Sequence, residues 1–226
     1  MQHILFKKIE NLGVDIEDKY SEVLSNGYSV FNVGKISKDQ FINFCYNFGE
    51  IVPSGRGKSL CDDIFINDGT GTEKLPLHTD KSYWRIPPRF EILYVEDVYN
   101  MSFGEITSVD LLASFNKLNE NDKKELLNLE VQYNCPLNRD MGYNKLAKFI
   151  NCIDGEIELF RFRLDVFNSN NKSLKSFVEI CEKSVKLISY KKGDILILDN
   201  WKFAAGRNVT KWGQNGSRHL FRTLVI

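Results

Sequence analysis

Residues 75–98 read LPLHTDKSYWRIPPRFEILYVEDV. The segment divides into a short run ending at His78 and Asp80, a loop punctuated by RIPP, and FEILYVEDV, whose β-branched and aromatic residues mark a strand. In extended chain, residues i and i+2 point to the same side, so the imidazole of His78 and the carboxylate of Asp80 can grip one cation together. A neutral imidazole and a carboxylate, completed by a distant histidine, form the facial set that suits non-haem iron(II) and leaves three positions open. An isolated H-x-D pair arises often by chance, as a surface histidine beside a solvated aspartate. Its weight therefore depends on the residues around it.

Outward from this stretch the strand pattern continues. IVP (51–53), DIFIN (63–67), EITSV (105–109), EVQYN (130–134), IELFRFRL (157–164), GDILILDN (193–200) and HLFRTLVI (219–226) are short apolar runs separated by loops such as DGTGTEK. Upstream, GYSVFNV (27–33) predicts a strand, and Ser37 with Gln40 three residues later predicts a capped helix start. In that helix Phe41, Phe44, Cys45 and Phe48 form one apolar stripe, with Gly49 placed for a left-handed cap. Asp110 can cap LLASFNKL, Asn121 or Asp122 can start KKELLNL, and Leu174, Phe177, Val178, Cys181 and Val185 form a stripe through SLKSFVEICEKSVKL. Many short strands with a few helices predict an all-β core with appended helices, a double-stranded β-helix or jelly roll whose interior can hold a small ligand. No repeat or linker interrupts the pattern, so residues 1–226 are expected to form a single domain.

Composition narrows the partners. With 30 basic and 30 acidic residues the formal net charge is +0, which gives no global field to concentrate a nucleic acid. The lysine-rich helix near 172–192 is interspersed with acids and does not change that. Five cysteines, an odd and scattered set without a C-x-x-C pair, predict reduced thiols. The opening MQHILFKKIENLGVDIEDKY breaks its apolar run with charges too early for a secretory signal, and no stretch reaches the roughly 20 apolar residues of a membrane span. These features predict a soluble cytoplasmic protein whose partner is a small molecule, with no nucleic acid and no membrane.

Three anchors together resemble the taurine-dioxygenase and γ-butyrobetaine-hydroxylase family of iron(II)/2-oxoglutarate oxygenases, over nearly the whole chain. Residues 75–98 are similar to the family's L-P-x-H-x-D segment with its proline pair and long strand. FGEITSVDLLASFNKL (103–118) resembles the G-G-E-T-x-x-x-D stretch, with Gly104, Glu105 and Asp110 in place. KGDILILDNWKFAAGRNVT (192–210) and SRHLFRTLVI (217–226) resemble the D-N-W-R-x-x-H-G-R segment and the closing R-H-x-x-R strand. GYSVFNVGKISKDQFINFCYNFGEI also resembles the family's opening strand and helix.

The resemblance implies iron(II) bound by His78 and Asp80, 2-oxoglutarate as cosubstrate, and hydroxylation of a small amino-acid-like or natural-product substrate. Arg218 and Arg222, four apart on the closing strand, share a face. The resemblance implies that Arg218 forks onto the distal carboxylate of 2-oxoglutarate and that Arg222 contacts substrate or braces the site. Two positions depart from the pattern: Ala205 stands where the distal histidine ligand belongs, and Ile106 replaces a threonine that often contacts the cosubstrate. His219 is turned to the face opposite Arg218 and is not a substitute ligand. Asn67 reads first as a turn residue, Tyr83, Trp84, Phe90 and Trp201 as core packing, and Arg56 and Arg85 as loop charges near the mouth. The alternative is a small-molecule-binding protein that kept the fold without catalysis.

Overall fold

The computed structural model describes residues 12–53, 59–67, 73–103, 105–133, 146–163 and 170–226. His3, Arg56, Gly104, Cys135 and the side chain of Asn67 fall outside the described residues. The first half of the chain forms α1 (Ile16–Asn26), β1 (Tyr28–Asn32), α2 (Lys38–Cys45), β2 (Ile51–Val52), β3 (Asp62–Asn67), β4 (Leu75–His78), β5 (Phe90–Phe103) and β6 (Ile106–Asp110). The second half forms α3 (Leu111–Asn116), α4 (Glu120–Asn128), β7 (Glu130–Gln132), β8 (Leu146–Lys148), β9 (Ile150–Ile153) and β10 (Glu156–Phe160). It ends with α5 (Lys172–Lys183), β11 (Lys186–Ile188), β12 (Asp194–Asp199), β13 (Phe203–Arg207) and β14 (Thr210–Val225).

Two antiparallel sheets make the jelly roll. The major sheet runs β1-β12-β5-β14-β2, with β3 also paired to β14, and the minor sheet runs β11-β6-β13-β4. Strand alternation sorts the core into layers. In β12, Ile195 and Ile197 pack under α1 and α2 with Phe41, Phe44, Phe90, Ile92, Tyr94 and Phe221, whereas Leu196 and Leu198 turn inward to Leu93, Val95, Ile106 and Leu220. A third layer, with Phe149, Phe160, Phe162 and Phe177, seats α3, α4 and α5. The same alternation carries Glu91 to the inner side of β5 with Leu93 and Val95.

Local sequence explains most element starts. Ser37 and Gln40 form a reciprocal capping box on α2, and Asp110 caps α3 through the Ala113 N–H at 2.8 Å. Three expectations are corrected. α2 stops at Cys45 and a 3-10 turn, Tyr46–Phe48, follows it; Gly49 has φ 143° and ψ −159°, so it is not a left-handed cap. A Cβ there would lie 2.2 Å from the Ile226 carbonyl oxygen, so glycine lets the chain end approach. The cap of α4 is Asn119, not Asn121 or Asp122, and its side chain accepts the Asp122 N–H at 2.9 Å. α5 ends at Lys183, so Val185 lies beyond it, where the chain turns into β11. Strands β8, β9 and β13 were not expected as separate elements.

Candidate active site

A cavity of about 240 Å³ opens between the two sheets. Its wall contains His78 and Leu75 from β4, Ala205, Gly206 and Arg207 from β13, Ile106 from β6, and Glu91 and Leu93 from β5. Arg218, Leu220 and Arg222 of β14, with Ile64 and Ile66 of β3 and Leu198 of β12, complete it. The sequence-predicted His78, Arg218 and Arg222 thus line one space, and Ala205 faces His78 as its cross-strand partner. Tyr83, Trp84 and Phe90 are buried in the core. Trp201 donates from Nε1 to the Pro87 carbonyl at 3.1 Å and packs under Arg89, away from the cavity.

β4 ends at His78, and Asp80 occupies the turn that follows. The backbone remains pinned there. The Thr79 N–H donates to the Phe162 carbonyl at 2.6 Å, and the carboxamide of Asn200 donates to the carbonyls of Asp80 at 2.9 Å and Pro88 at 2.8 Å. The Asp80 N–H returns a bond to Asn200 Oδ1. Behind this turn the buried Arg161 donates to the carbonyls of Ser82 at 2.5 Å, Trp84 at 2.7 Å and Arg85 at 3.2 Å. Nδ1 of His78 sits 2.9 Å from the Pro76 carbonyl oxygen. A carbonyl only accepts, so Nδ1 carries a proton, and in the neutral ring the lone pair is then on Nε2.

Asp80 is buried and surrounded by cations. Arg222 donates to Oδ2 at 3.0 Å and Arg163 lies 3.5 Å from Oδ1. Burial alone would raise its pKa; the charges of Arg222, of His78 when protonated, and of Lys81 and Arg163 reverse this and hold it below the usual carboxylate value. Arg222 also contacts Asp62 at 2.6 Å and Glu91 at 3.7 Å. Burial outweighs that contact at Glu91, and with the Asp80 charge nearby its pKa is pushed up to about 7. Sequence reasoning missed Arg163, Asn200 and Glu91. Asn200 had a signal in the D-N-W motif, though no role was read from it, and Glu91 had one as a charge at the inward phase of an apolar strand.

Arg218 is buried and donates to the Tyr190 hydroxyl at 2.6 Å. His219 points to the other side of β14, as its alternation requires, and pairs with Asp63. Ile106 lies on the cavity wall, whereas Thr107 faces a separate groove with Leu77 and Phe162. Among the described residues no three His, Cys, Asp or Glu side chains are close enough to share a metal ion.

Residues 4–172 match the family model described as taurine catabolism dioxygenase TauD, TfdA family. The chain belongs to that family. Its class is the non-haem iron(II)/2-oxoglutarate-dependent dioxygenases. The match stops at residue 172, before β13 and β14, which carry Ala205, Arg218 and Arg222. By sequence, no curated protein matches the chain.

Solved structures extend the fold likeness to more than nine-tenths of the chain. PvcB, an Fe, alpha-ketoglutarate dependent oxygenase from an isonitrile synthetic pathway, superposes with a TM-score of 0.73 at 15% identity, over 94% of this chain and 80% of that one. Asparagine oxygenase in complex with Fe(II), hydroxyasparagine and succinate gives 0.75 at 13% identity, over 93% and 78%. The non-haem iron oxygenase OrfP with Fe and alpha-ketoglutaric acid gives 0.74 at 15% identity, over 93% and 78%.

Proposed function

We propose that this chain is a cytoplasmic oxygenase that couples decarboxylation of 2-oxoglutarate to hydroxylation of a small amino-acid-like molecule, with His78 and Asp80 as its two protein ligands to iron(II). The observation that carries this reading is that His78, its Nδ1 tied to the Pro76 carbonyl, shares a cavity wall with Arg218, with the low-pKa carboxylate of Asp80 two residues on. An imidazole nitrogen and a hard carboxylate oxygen suit iron(II), and both side chains are pre-oriented by their outer hydrogen bonds. When bound, the metal and the keto acid supply an oxidant strong enough to take a hydrogen atom from a C–H bond. The protein positions and excludes: Ile64, Ile66, Leu93, Leu198 and Leu220 keep the cavity wall apolar.

Ala205 offers a methyl group where the family places its second histidine, so the third protein position falls to solvent or to an atom of a ligand. Arg222 and Glu91 put a cation and a titratable carboxyl on the cavity wall, which suits a polar, amino-acid-like ligand. Asparagine oxygenase holds a hydroxylated amino acid, and OrfP has been seen with L-arginine. A binding protein without turnover is the second reading. What favours it is that Arg222 and Arg163 already neutralise Asp80 without a metal.

The test is anaerobic titration of iron(II) and 2-oxoglutarate into this chain and its Ala205→His variant, following the visible charge-transfer band and then succinate release in air. Both signals from this chain unaided establish the two-residue site. Signals from the histidine variant alone mean a disabled oxygenase, and silence from both leaves the binding reading.

A further inference from the structure

Both oxygens of the Asp80 carboxylate are engaged, by two arginines that are held in different ways. Oδ2 accepts from Arg222 at 3.0 Å, whereas Oδ1 accepts the Lys81 N–H at 3.0 Å and lies 3.5 Å from the Arg163 guanidinium. Arg222 is anchored independently of Asp80, because its Nε and Nη2 both donate to Asp62, at 3.1 and 2.6 Å. Arg163 meets Oδ1 at a distance longer than a good hydrogen bond, so charge holds the contact. Its side chain is 21% exposed against 7% for Asp80. The guanidinium has a route into solvent that the carboxylate lacks. Since Oδ2 belongs to the anchored arginine, Oδ1 is the oxygen open to exchange.

Backbone register puts Arg163 at this point. The Thr79 N–H donates to the Phe162 carbonyl, the Phe162 N–H donates to Thr79 Oγ1 at 3.0 Å, and His78 and Arg163 form an antiparallel bridge. Residues directly opposite in an antiparallel pair share a face. On its other flank His78 is paired with Ala205. One row therefore runs Ala205, His78, Arg163, with a methyl group on one side of the imidazole and a guanidinium on the other. A divalent ion held jointly by His78 and Asp80 gains no donor from Ala205 and meets a like charge at Arg163, where burial leaves the repulsion poorly screened.

We propose that Arg163 is a counter-cation built into the metal site: it neutralises Asp80 in the empty chain, must leave Oδ1 for a divalent ion to bind, and so sets the metal affinity. The inference rests on the reading above of His78 and Asp80 as the metal ligands. The test is calorimetric titration of cobalt(II), an air-stable stand-in for iron(II), into the whole chain, with the visible cobalt bands as a second readout. Arg163→Gln is expected to bind cobalt(II) roughly 10- to 100-fold more tightly than wild type, the range of one charge-assisted contact released. Arg163→Met, which keeps the apolar stem, is expected to do the same and covers the case in which the glutamine variant does not fold. Arg163→Lys keeps the charge and is expected to stay within a few-fold of wild type. His78→Ala, made in each background, is expected to abolish the binding.

If the neutral variants bind cobalt(II) no more tightly than wild type, while His78→Ala loses it, the counter-cation is refuted and the metal-ligand reading survives. Equal tightening by Arg163→Lys makes the effect one of space instead of charge, and tightening that persists with His78→Ala puts the ion elsewhere; either refutes the proposal. If wild type and all Arg163 variants leave cobalt(II) unbound, the metal-ligand reading itself fails, and this inference with it.

Discussion

Arg222 is the residue whose removal is most informative. One guanidinium contacts the carboxylates of Asp80, Asp62 and Glu91, and none of these four side chains is more than 24% exposed. Arg222→Met keeps the apolar stem and deletes the charge, leaving three crowded carboxylates without their common cation. Removing one partner of a buried pair costs about 3–5 kcal/mol. At roughly 2–4 °C per kcal/mol for a chain of this size, melting at pH 8 should fall by about 6–20 °C. The loss should depend on pH with a definite sign. Arg222 lowers the pKa of both Asp80 and Glu91 in the folded state, so deleting it raises both. The folded variant then binds more protons than the unfolded chain across mildly acidic pH, and its stability falls as pH rises. By pH 5 protonation relieves the repulsion, and the loss should shrink to about 1–2 kcal/mol, the scale of a missing hydrogen bond. Calorimetric melts of both proteins at pH 5, 6, 7 and 8 measure this. A loss that is the same at every pH, or below about 1 kcal/mol at pH 8, would refute the three-carboxylate account.

Two further substitutions probe the same frame. Glu91 has a folded pKa of about 7 against an ordinary 4.5, so it withdraws stability as pH rises through that window. Glu91→Gln should flatten the stability profile between pH 5 and 8, with a gain at pH 8 of at most about 3 kcal/mol, less whatever the Arg222 contact contributes; an unchanged profile by chemical denaturation counts against a protonated Glu91. Gly206 sits where a Cβ would meet the Leu75 carbonyl oxygen at 2.6 Å and Thr107 Oγ1 at 2.8 Å. Gly206→Ala should force β4 off β13 and cost about 1–3 kcal/mol, and urea midpoints equal to wild type would show that the ladder has slack.

The strands were legible because burial writes a period of two into the sequence. β12, β5 and β14 each alternate between the helix-covered face and the inner face, and Arg218 and Arg222 follow that phase. What could not be read was fixed by distant partners. The run Asn119, Glu120, Asn121, Asp122 contains three competent caps, and it is the burial of Leu126 that sets the start of α4. The apolar phase of Val185 continues the stripe of α5, but the helix ends where β11 pairs with β6. Nothing near Asp80 in sequence announces Arg163, because the two meet only when residues 160–163 lie beside the end of β4.

Under the proposed ligand assignment, alanine at position 205 is compatible with the charges around it for an electrostatic reason. A ligating histidine is neutral, so exchanging it for alanine removes a donor atom and leaves the charge of the cavity untouched. The carboxylates of Asp80, Glu91 and Asp62 are balanced through Arg222, which does not depend on position 205. With alanine at position 205 the Asn200 bonds to the Asp80 turn and the His78–Pro76 bond are in place. On that basis Ala205→His should restore a ligand without any accompanying change elsewhere in the cavity.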